Sequence, residues 1–217
     1  MSEHEKAAAA VAAAALLQDG MRVGLGTGST VAHLLPAIAA RSLSGLSCVA
    51  TSPATEAAAR ELGLEVRSLD ELGELDVTID GADQIDPDGW LIKGGGAAHT
   101  REKIVAAAAR RFVVIASSEK AVESLSPPVP VELLRFGAQR TLRDIAPASL
   151  RDVPPSPDGG LIADYLGPVE DPRALSQWLE RTPGVVEHGL FSPELVSLIL
   201  IARGDEVESR PGGKSDG

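Results

Sequence analysis

The sequence predicts an α/β protein with a largely parallel sheet, followed by a smaller α+β unit. Three observations predict it. Short apolar runs alternate with helical stretches up to about residue 116, the rhythm of strand–helix repeats. Aromatic residues are only 3% of a chain that is 44% hydrophobic, so the core is built from Ala, Val, Leu and Ile, which suits helices packed on a sheet. The rhythm then changes at Ser126-Pro127-Pro128, after which elements are separated by longer polar loops such as 153–160.

Taken in order, Ala7 to Leu17 is a helix by propensity, closed by Asp19-Gly20. Met21 to Leu25 reads as a buried strand and ends in the loop Gly24-Leu25-Gly26-Thr27-Gly28-Ser29-Thr30. A helix over Val31 to Ala40 follows, with Ser29 or Thr30 as its N-cap. Leu46 to Ala50 is a second strand, Ala54 to Leu62 a helix stopped by Gly63, and Leu64 to Val66 a third strand. Leu75 to Ile79 is a fourth strand leading into Asp80-Gly81-Ala82-Asp83. Asp86-Pro87-Asp88-Gly89 has turn composition, and Trp90 to Ile92 is extended. The triple glycine after Lys93 precedes a helix over Ala97 to Arg110 and a strand over Phe112 to Ala116. The first domain is expected over residues 1–128 and the second over 129–201, with 202–217 returning to the first or disordered; Ser209 to Gly217, rich in Gly, Ser and charge, reads as disordered.

The formal net charge of −11 argues against nucleic acid or an anionic membrane surface as partner. An anionic ligand would need local positive potential. Lysines are scarce: Lys6, Lys93, Lys103, Lys120 and Lys214. The single cysteine, Cys48, permits neither an intrachain disulfide nor a cysteine metal site, and reads as a packing residue. The start, MSEHEK, is acidic where a signal peptide is basic, and the apolar run behind it is too short to span a bilayer; a cytoplasmic location is expected.

Three loops carry chemistry. In GLGTGST the glycines allow close backbone approach, and a helix start offers N–H groups to an anion, so a phosphate site or a plain tight turn both fit. A dinucleotide loop does not fit: the spacing is G-x-G-x-G, and the second strand ends in Ala50-Thr51-Ser52 with no ribose-binding acid. Asp80 and Asp83 lie where a parallel strand ends, suited to sugar hydroxyls or merely to a solvated turn. The cluster Asp83, Asp86 and Asp88 lacks the order of a calcium loop. Lys93-Gly94-Gly95-Gly96 is costly in conformational entropy and implies close approach to a ligand. Glu102, between Arg101 and Lys103 on the second turn of the following helix, reads from the residues alone as a surface ion pair.

These loops, with TSPATEAAARELG (51–63), DVTIDGADQID (76–86), LIKGGGAAHTREKIVA (91–106), ASSEK (116–120), PVPVEL (128–133), LIADY (161–165) and TPGVVEHGLF (182–191), resemble the A-type ribose-5-phosphate isomerases over nearly the whole chain. The resemblance implies a Rossmann-like domain with a smaller ferredoxin-like domain, dimers or tetramers, and a sugar-phosphate substrate; the sequence itself shows no convincing ligand cluster for a metal, which favours a cis-enediolate over a metal-assisted hydride shift, and no cofactor is expected. It implies substrate contacts at Thr27, Gly28, Ser29 and Thr30, at Asp80, Gly81, Ala82 and Asp83, at Lys93, Gly94, Gly95 and Gly96, and at Lys120 and Lys6. The catalytic groups would be Glu102 as base, Lys93 beside the enediolate oxygen, and Asp80 and Asp83 at hydroxyls and ring opening. Departures from the family pattern are Gln84 for glutamate, His99 for an apolar residue and Gly160 for asparagine. His99 sits three residues before Glu102 without a third ligand in view, so it reads as a packing histidine rather than a metal ligand. The implied reaction is the interconversion of ribose 5-phosphate and ribulose 5-phosphate through a cis-enediolate, a step of the pentose phosphate pathway. The rivals are a sugar-phosphate sensor without turnover and a related sugar-phosphate isomerase or deaminase.

Overall fold

The structure, a computed structural model, describes residues 2–214. In chain order its first elements are α1 (Ser2–Ala14), β1 (Arg22–Leu25), α2 (Ser29–Ala39), β2 (Ser47–Ala50), α3 (Pro53–Glu61), α4 (Leu69–Leu72) and β3 (Leu75–Gly81). Then come β4 (Gln84–Ile85), β5 (Leu91–Ile92), α5 (His99–Ala107), β6 (Ala109–Ser117), β7 (Val129–Leu133), α6 (Ala138–Asp144) and β8 (Ala148–Leu150). The last are β9 (Leu161–Tyr165), α7 (Pro172–Arg181), β10 (Val185–His188), β11 (Leu190–Phe191), β12 (Leu198–Arg203) and β13 (Glu206–Pro211). These fall into two compact units. The first takes in residues up to 82, 101–121 and from 193 onward; the second takes in 83–100 and 122–192.

The first unit is a six-stranded sheet in the order β13-β12-β6-β3-β1-β2. All neighbours are parallel except β13, which runs antiparallel to β12. Parallel strands need crossover helices, and the α/β rhythm supplies them. The chain steps from β1 outward to β2, then returns to place β3 on the other side of β1. That reversal is a topological switch point, where ligands of open α/β sheets bind outside the carboxyl ends of the strands. The alanine run makes α1 a helix by propensity. Its Ala9, Ala10, Ala13 and Ala14 are buried, and their small side chains let it pack against α2, β6 and β12.

The second unit follows the order β7-α6-β8-β9-α7-β10, a β-α-β-β-α-β sequence. Its strands form one antiparallel sheet, β10-β7-β9-β8, the ferredoxin-like arrangement. Val129, Val131 and Leu133 on β7 centre its core, with Leu175 and Leu179 from α7. Asp171 starts α7 by accepting the N–H of Ala174 at 2.9 Å, with Pro172 in the first turn. A second small sheet, β11-β5-β4, frames the segment that leads to the triple glycine.

Four local readings are corrected. Helix α2 begins directly after Gly28, which has no capping side chain; neither Ser29 nor Thr30 is the N-cap, because both already belong to the helix. The short α4, which the sequence reading leaves unassigned, is a single turn started by a reciprocal capping box between Ser68 and Glu71. Helix α5 ends at Ala107 and β6 begins at Ala109, since pairing of Leu75 with Ala109 extends the strand past the exposed Arg110 and Arg111. The tail is ordered through β13: Ser209 pairs with Leu200 and Pro211 with Leu198. Main-chain pairing is indifferent to the polar side chains that suggested disorder. The reading for 215–217 lies outside the described residues.

Candidate active site

At the switch point the ends of β1 and β3 are locked together. The carboxylate of Asp80, fully buried, accepts the N–H groups of Thr27 at 3.1 Å and of Gly81 at 2.7 Å through Oδ1. The N–H of Gly26 donates to Ile79 O. A Cβ on Gly26 would stand 1.8 Å from Asp80 Oδ1, so only glycine admits the carboxylate here. A layer of hydroxyls lies alongside. Thr27 Oγ1 is 2.8 Å from Thr51 Oγ1, and Thr55 Oγ1 donates to Gly26 O at 2.9 Å. Ser52 caps α3 through Thr55. The sequence reading gave Thr51, Ser52 and Thr55 no task; the run Thr51-Ser52-Pro53 at a strand–helix junction was the available signal. Thr30 lies on the other flank, about van der Waals distance from where a side chain at Gly81 would start (3.9 Å).

Glu102 is 3% exposed, so it is a buried carboxylate of α5 and not a charge on its surface. Its level in the unit follows from its helix. Ala108 O accepts from the N–H of Leu75, at the start of β3, and Val105 O accepts from Thr78 Oγ1, near its middle. The helix therefore runs antiparallel to β3. One turn earlier, Glu102 stands level with the carboxyl end of β3, where Asp80 and Gly81 are.

Lys120 sits in the 3₁₀ turn Ser118–Lys120 that follows β6, at the same carboxyl edge. That turn is held by Glu5, a buried carboxylate of α1. It accepts the N–H of Ser118 at 2.9 Å, its hydroxyl at 2.8 Å, and the N–H of Gly204 at 3.0 Å. Backbone hydrogen bonds, led by Gly204 and then Ser118, hold the Glu5 carboxyl below its ordinary pKa. Lys6 pairs with Glu3 at 2.6 Å, and Glu3 also meets His33 of α2 at 2.9 Å, which brings the first turn of α1 beside the start of α2.

The second unit holds the rest. Lys93 is 2% exposed, its ammonium 5.4 Å from the centre of the Phe191 ring, and its N–H donates to Gly189 O at 2.8 Å. Asp83 is exposed and accepts the N–H of Gly95 at 2.8 Å. Asp80 and Asp83, three residues apart, thus belong to different units, each holding the N–H of a glycine-rich loop. Asp86 accepts the N–H of Trp90 at 2.8 Å, as a turn residue does, and burial holds its carboxyl above the ordinary range. Cys48 is buried and its thiol is pushed up to about 12, first by burial and then by Glu65, an unreactive packing cysteine.

The three departures from the family pattern have local reasons. Gln84 both donates to Ser126 O and accepts from Ser126 N–H, each at 2.8 Å, which a glutamate carboxylate could not do. His99 is fully buried, its Nε2 3.4 Å from Glu187 O, packed beneath Gly94. Gly160 leaves its side-chain space to the buried carboxylate of Glu132, which accepts the hydroxyls of Thr100 and Ser156. Among the described residues, no group of three or more His, Cys, Asp or Glu is placed to hold a metal ion.

Residues 47–206 match the family model of ribose 5-phosphate isomerase A (phosphoriboisomerase A). The chain is 47% identical over 207 residues to the ribose-5-phosphate isomerase A of Caulobacter vibrioides, covering 88% of this chain and 90% of that one. A crystal structure of ribose 5 phosphate isomerase A from Neisseria gonorrhoeae superposes with a TM-score of 0.93 at 28% identity, over 98% of both chains. A D-ribose-5-phosphate isomerase solved in complex with phospho-erythronic acid matches with a TM-score of 0.92 at 31% identity, over 97% of this chain and 99% of that one.

Proposed function

The chain belongs to the ribose 5-phosphate isomerase A family, and from that premise we propose that it interconverts D-ribose 5-phosphate and D-ribulose 5-phosphate through a cis-enediolate. The observation that carries the catalytic reading is the burial of Glu102 level with Asp80 at the carboxyl edge of the parallel sheet.

In this reading Glu102 takes the proton from C2. The released electron pair forms the C1–C2 double bond and places charge on the C1 oxygen, which the Lys93 ammonium offsets. A hydroxyl proton passes between the two oxygens, and Glu102 returns its proton to C1 as the C2 carbonyl forms. Asp80 and Asp83 hold sugar hydroxyls and assist ring opening. Thr27, Gly28, Ser29 and Thr30, with Lys6 and Lys120, hold the phosphate and its neighbouring hydroxyls through loop N–H groups, hydroxyls and charge. Gly81, Ala82 and Gly94 to Gly96 supply backbone contacts. No metal is assigned a step, so turnover should survive exhaustive chelation; loss with EDTA and recovery with a divalent ion would contradict the enediolate route.

The deciding experiment is a coupled assay of ribose 5-phosphate, ribose and hexose phosphates, with Glu102→Gln alongside wild type. Ribose without phosphate should be a very poor substrate, because remote binding energy positions the reacting carbons. Glu102→Gln should lower kcat at least ~100-fold and slow exchange of the C2 proton with solvent deuterium. A folded variant keeping more than about a tenth of wild-type kcat would hand the base role to Asp80 or Asp83. Binding of ribose 5-phosphate by wild type without turnover would favour a sensor. The family and the modest core of the second unit further suggest a homodimer or homotetramer acting in the cytoplasm, which sedimentation at micromolar concentration and cell fractionation test. No helix among the described residues is long and apolar enough to cross a membrane.

A further inference from the structure

Arg151 lies outside every motif singled out above, just beyond the end of β8, with its side chain 16% exposed. Its guanidinium grips Asp164 of β9 at two points, Nε to Oδ2 at 2.8 Å and Nη2 to Oδ1 at 2.6 Å. The remaining nitrogen, Nη1, donates to the carbonyl of Gly94 at 2.9 Å and reaches that of Gly95 at 3.5 Å. These atoms all belong to the second unit.

The consequence lies on the other side of two peptide bonds. In a trans peptide the C=O and the following N–H point in opposite directions. With the carbonyl of Gly94 drawn to Arg151, the N–H of Gly95 points away from it, and there it meets Asp83 at 2.8 Å. With the carbonyl of Gly95 facing the same arginine, the N–H of Gly96 is turned the same way. A run of three glycines has no side chains to enforce this alignment, and Gly94 already has φ of 107°. The N–H of Ala97 also donates to Gly94 O, at 3.1 Å, and the arginine fork adds the side-chain hold that reaches both carbonyls. One edge is committed to the carboxylate while another nitrogen reaches the loop, which a lysine ammonium, as a point charge, cannot reproduce. Asp164 also balances the arginine charge, so the arrangement adds little net field around Lys93.

We propose that Arg151, oriented by Asp164, is a positioning residue for the reaction. It sets the peptide orientation of the Lys93–Gly96 loop, so that the N–H groups of Gly95 and Gly96, and Lys93 at the loop's start, are presented in one fixed geometry. This rests on the isomerase reading above.

The test compares Arg151→Ala, Arg151→Lys and Asp164→Asn with wild type in steady-state isomerisation of ribose 5-phosphate, with melting temperatures measured in parallel. Arg151→Ala should lower kcat about 10- to 100-fold, the scale of a small misplacement of catalytic groups, with KM little changed. Arg151→Lys should not restore it. Guanidinium ion added at concentrations that do not unfold the protein should recover part of the Arg151→Ala loss while leaving wild type unchanged. Asp164→Asn, which keeps the arginine but weakens its hold, should lose less and gain nothing from guanidinium. A folded Arg151→Ala with wild-type kcat, or a lowered melting temperature as its sole effect, would overturn the proposal. So would full recovery by Arg151→Lys, which would reduce the effect to charge. If Arg151→Ala does not fold, Asp164→Asn decides: wild-type kcat there overturns the proposal. A folded wild-type chain with no turnover would instead refute the isomerase reading, an outcome distinct from all of these.

Discussion

The two glycine loops solve the same problem at different tightness. Each offers backbone N–H to an aspartate of the Asp80-Gly81-Ala82-Asp83 segment. In the first unit the fit is closed: Asp80 is fully buried, and a Cβ at Gly26 would stand 1.8 Å from its oxygen. In the second it is open: Asp83 is exposed, and a Cβ at Gly95 would lie 3.1 Å from its carboxylate. The first loop is tied to parallel strands at a switch point. The second depends on side chains brought from elsewhere, above all Arg151. Under the proposed function this is a division of labour, with the loop locked by close packing serving the phosphate end of the substrate and the loop held by side chains serving the reacting carbons.

The comparison breaks most readily at its glycines. Gly26→Ala should cost more than about 2 kcal/mol in denaturant unfolding, because overpacking a buried carboxylate leaves nothing free to move. Gly95→Ala should cost under about 1 kcal/mol, since the exposed Asp83 can rotate aside. Equal losses would show that the two loops are equally rigid.

A smaller effect sharpens the division of labour. Thr30→Ala and Lys120→Ala should each raise KM for ribose 5-phosphate on the order of tenfold, the worth of one hydrogen bond to a charged group, with melting temperature nearly unchanged. Gly95→Ala should instead lower kcat and spare KM. The reverse pattern in steady-state kinetics would exchange the two assignments.

The smallest effect concerns the anchor of the first unit. The Glu5 carboxyl is held below its ordinary pKa by hydrogen bonds from Gly204 and Ser118. A group with a depressed folded-state pKa stabilises the fold above its unfolded pKa, and that contribution is lost as pH falls through the folded value. Glu5→Gln should therefore melt below wild type at neutral pH, and the gap should close as pH drops below the usual carboxylate range. A gap that stays constant across that range would mean the ionised form contributes nothing.

Much of this was legible in the residues because it depends on neighbours in sequence. The alanine run made α1 and the apolar runs made β1, β2 and β3 without tertiary help, and the glycines at 26, 28 and 94–96 marked the loops that need close approach. The capping box of α4 was equally local and was simply too short a signal. Asp80 and Lys93 were recognisable as chemistry; Glu102, from its neighbours alone, reads as a surface ion pair.

What the sequence determined by itself is therefore the α/β class, the order of the main elements and the residue types at three loops, because backbone propensity and apolar periodicity act over a few residues. Tertiary structure alone decided the rest. It buried Glu102, sent Asp80 and Asp83 into different units, and gave the polar tail a partner in β12. It also set Arg151, more than fifty positions away, on the carbonyl of Gly94, and placed Glu5 beneath Ser118. Each of these depends on free energy from groups far apart in the chain: an exposed or buried carboxylate, or a paired or unpaired strand edge, reads the same in sequence until the partner is in place.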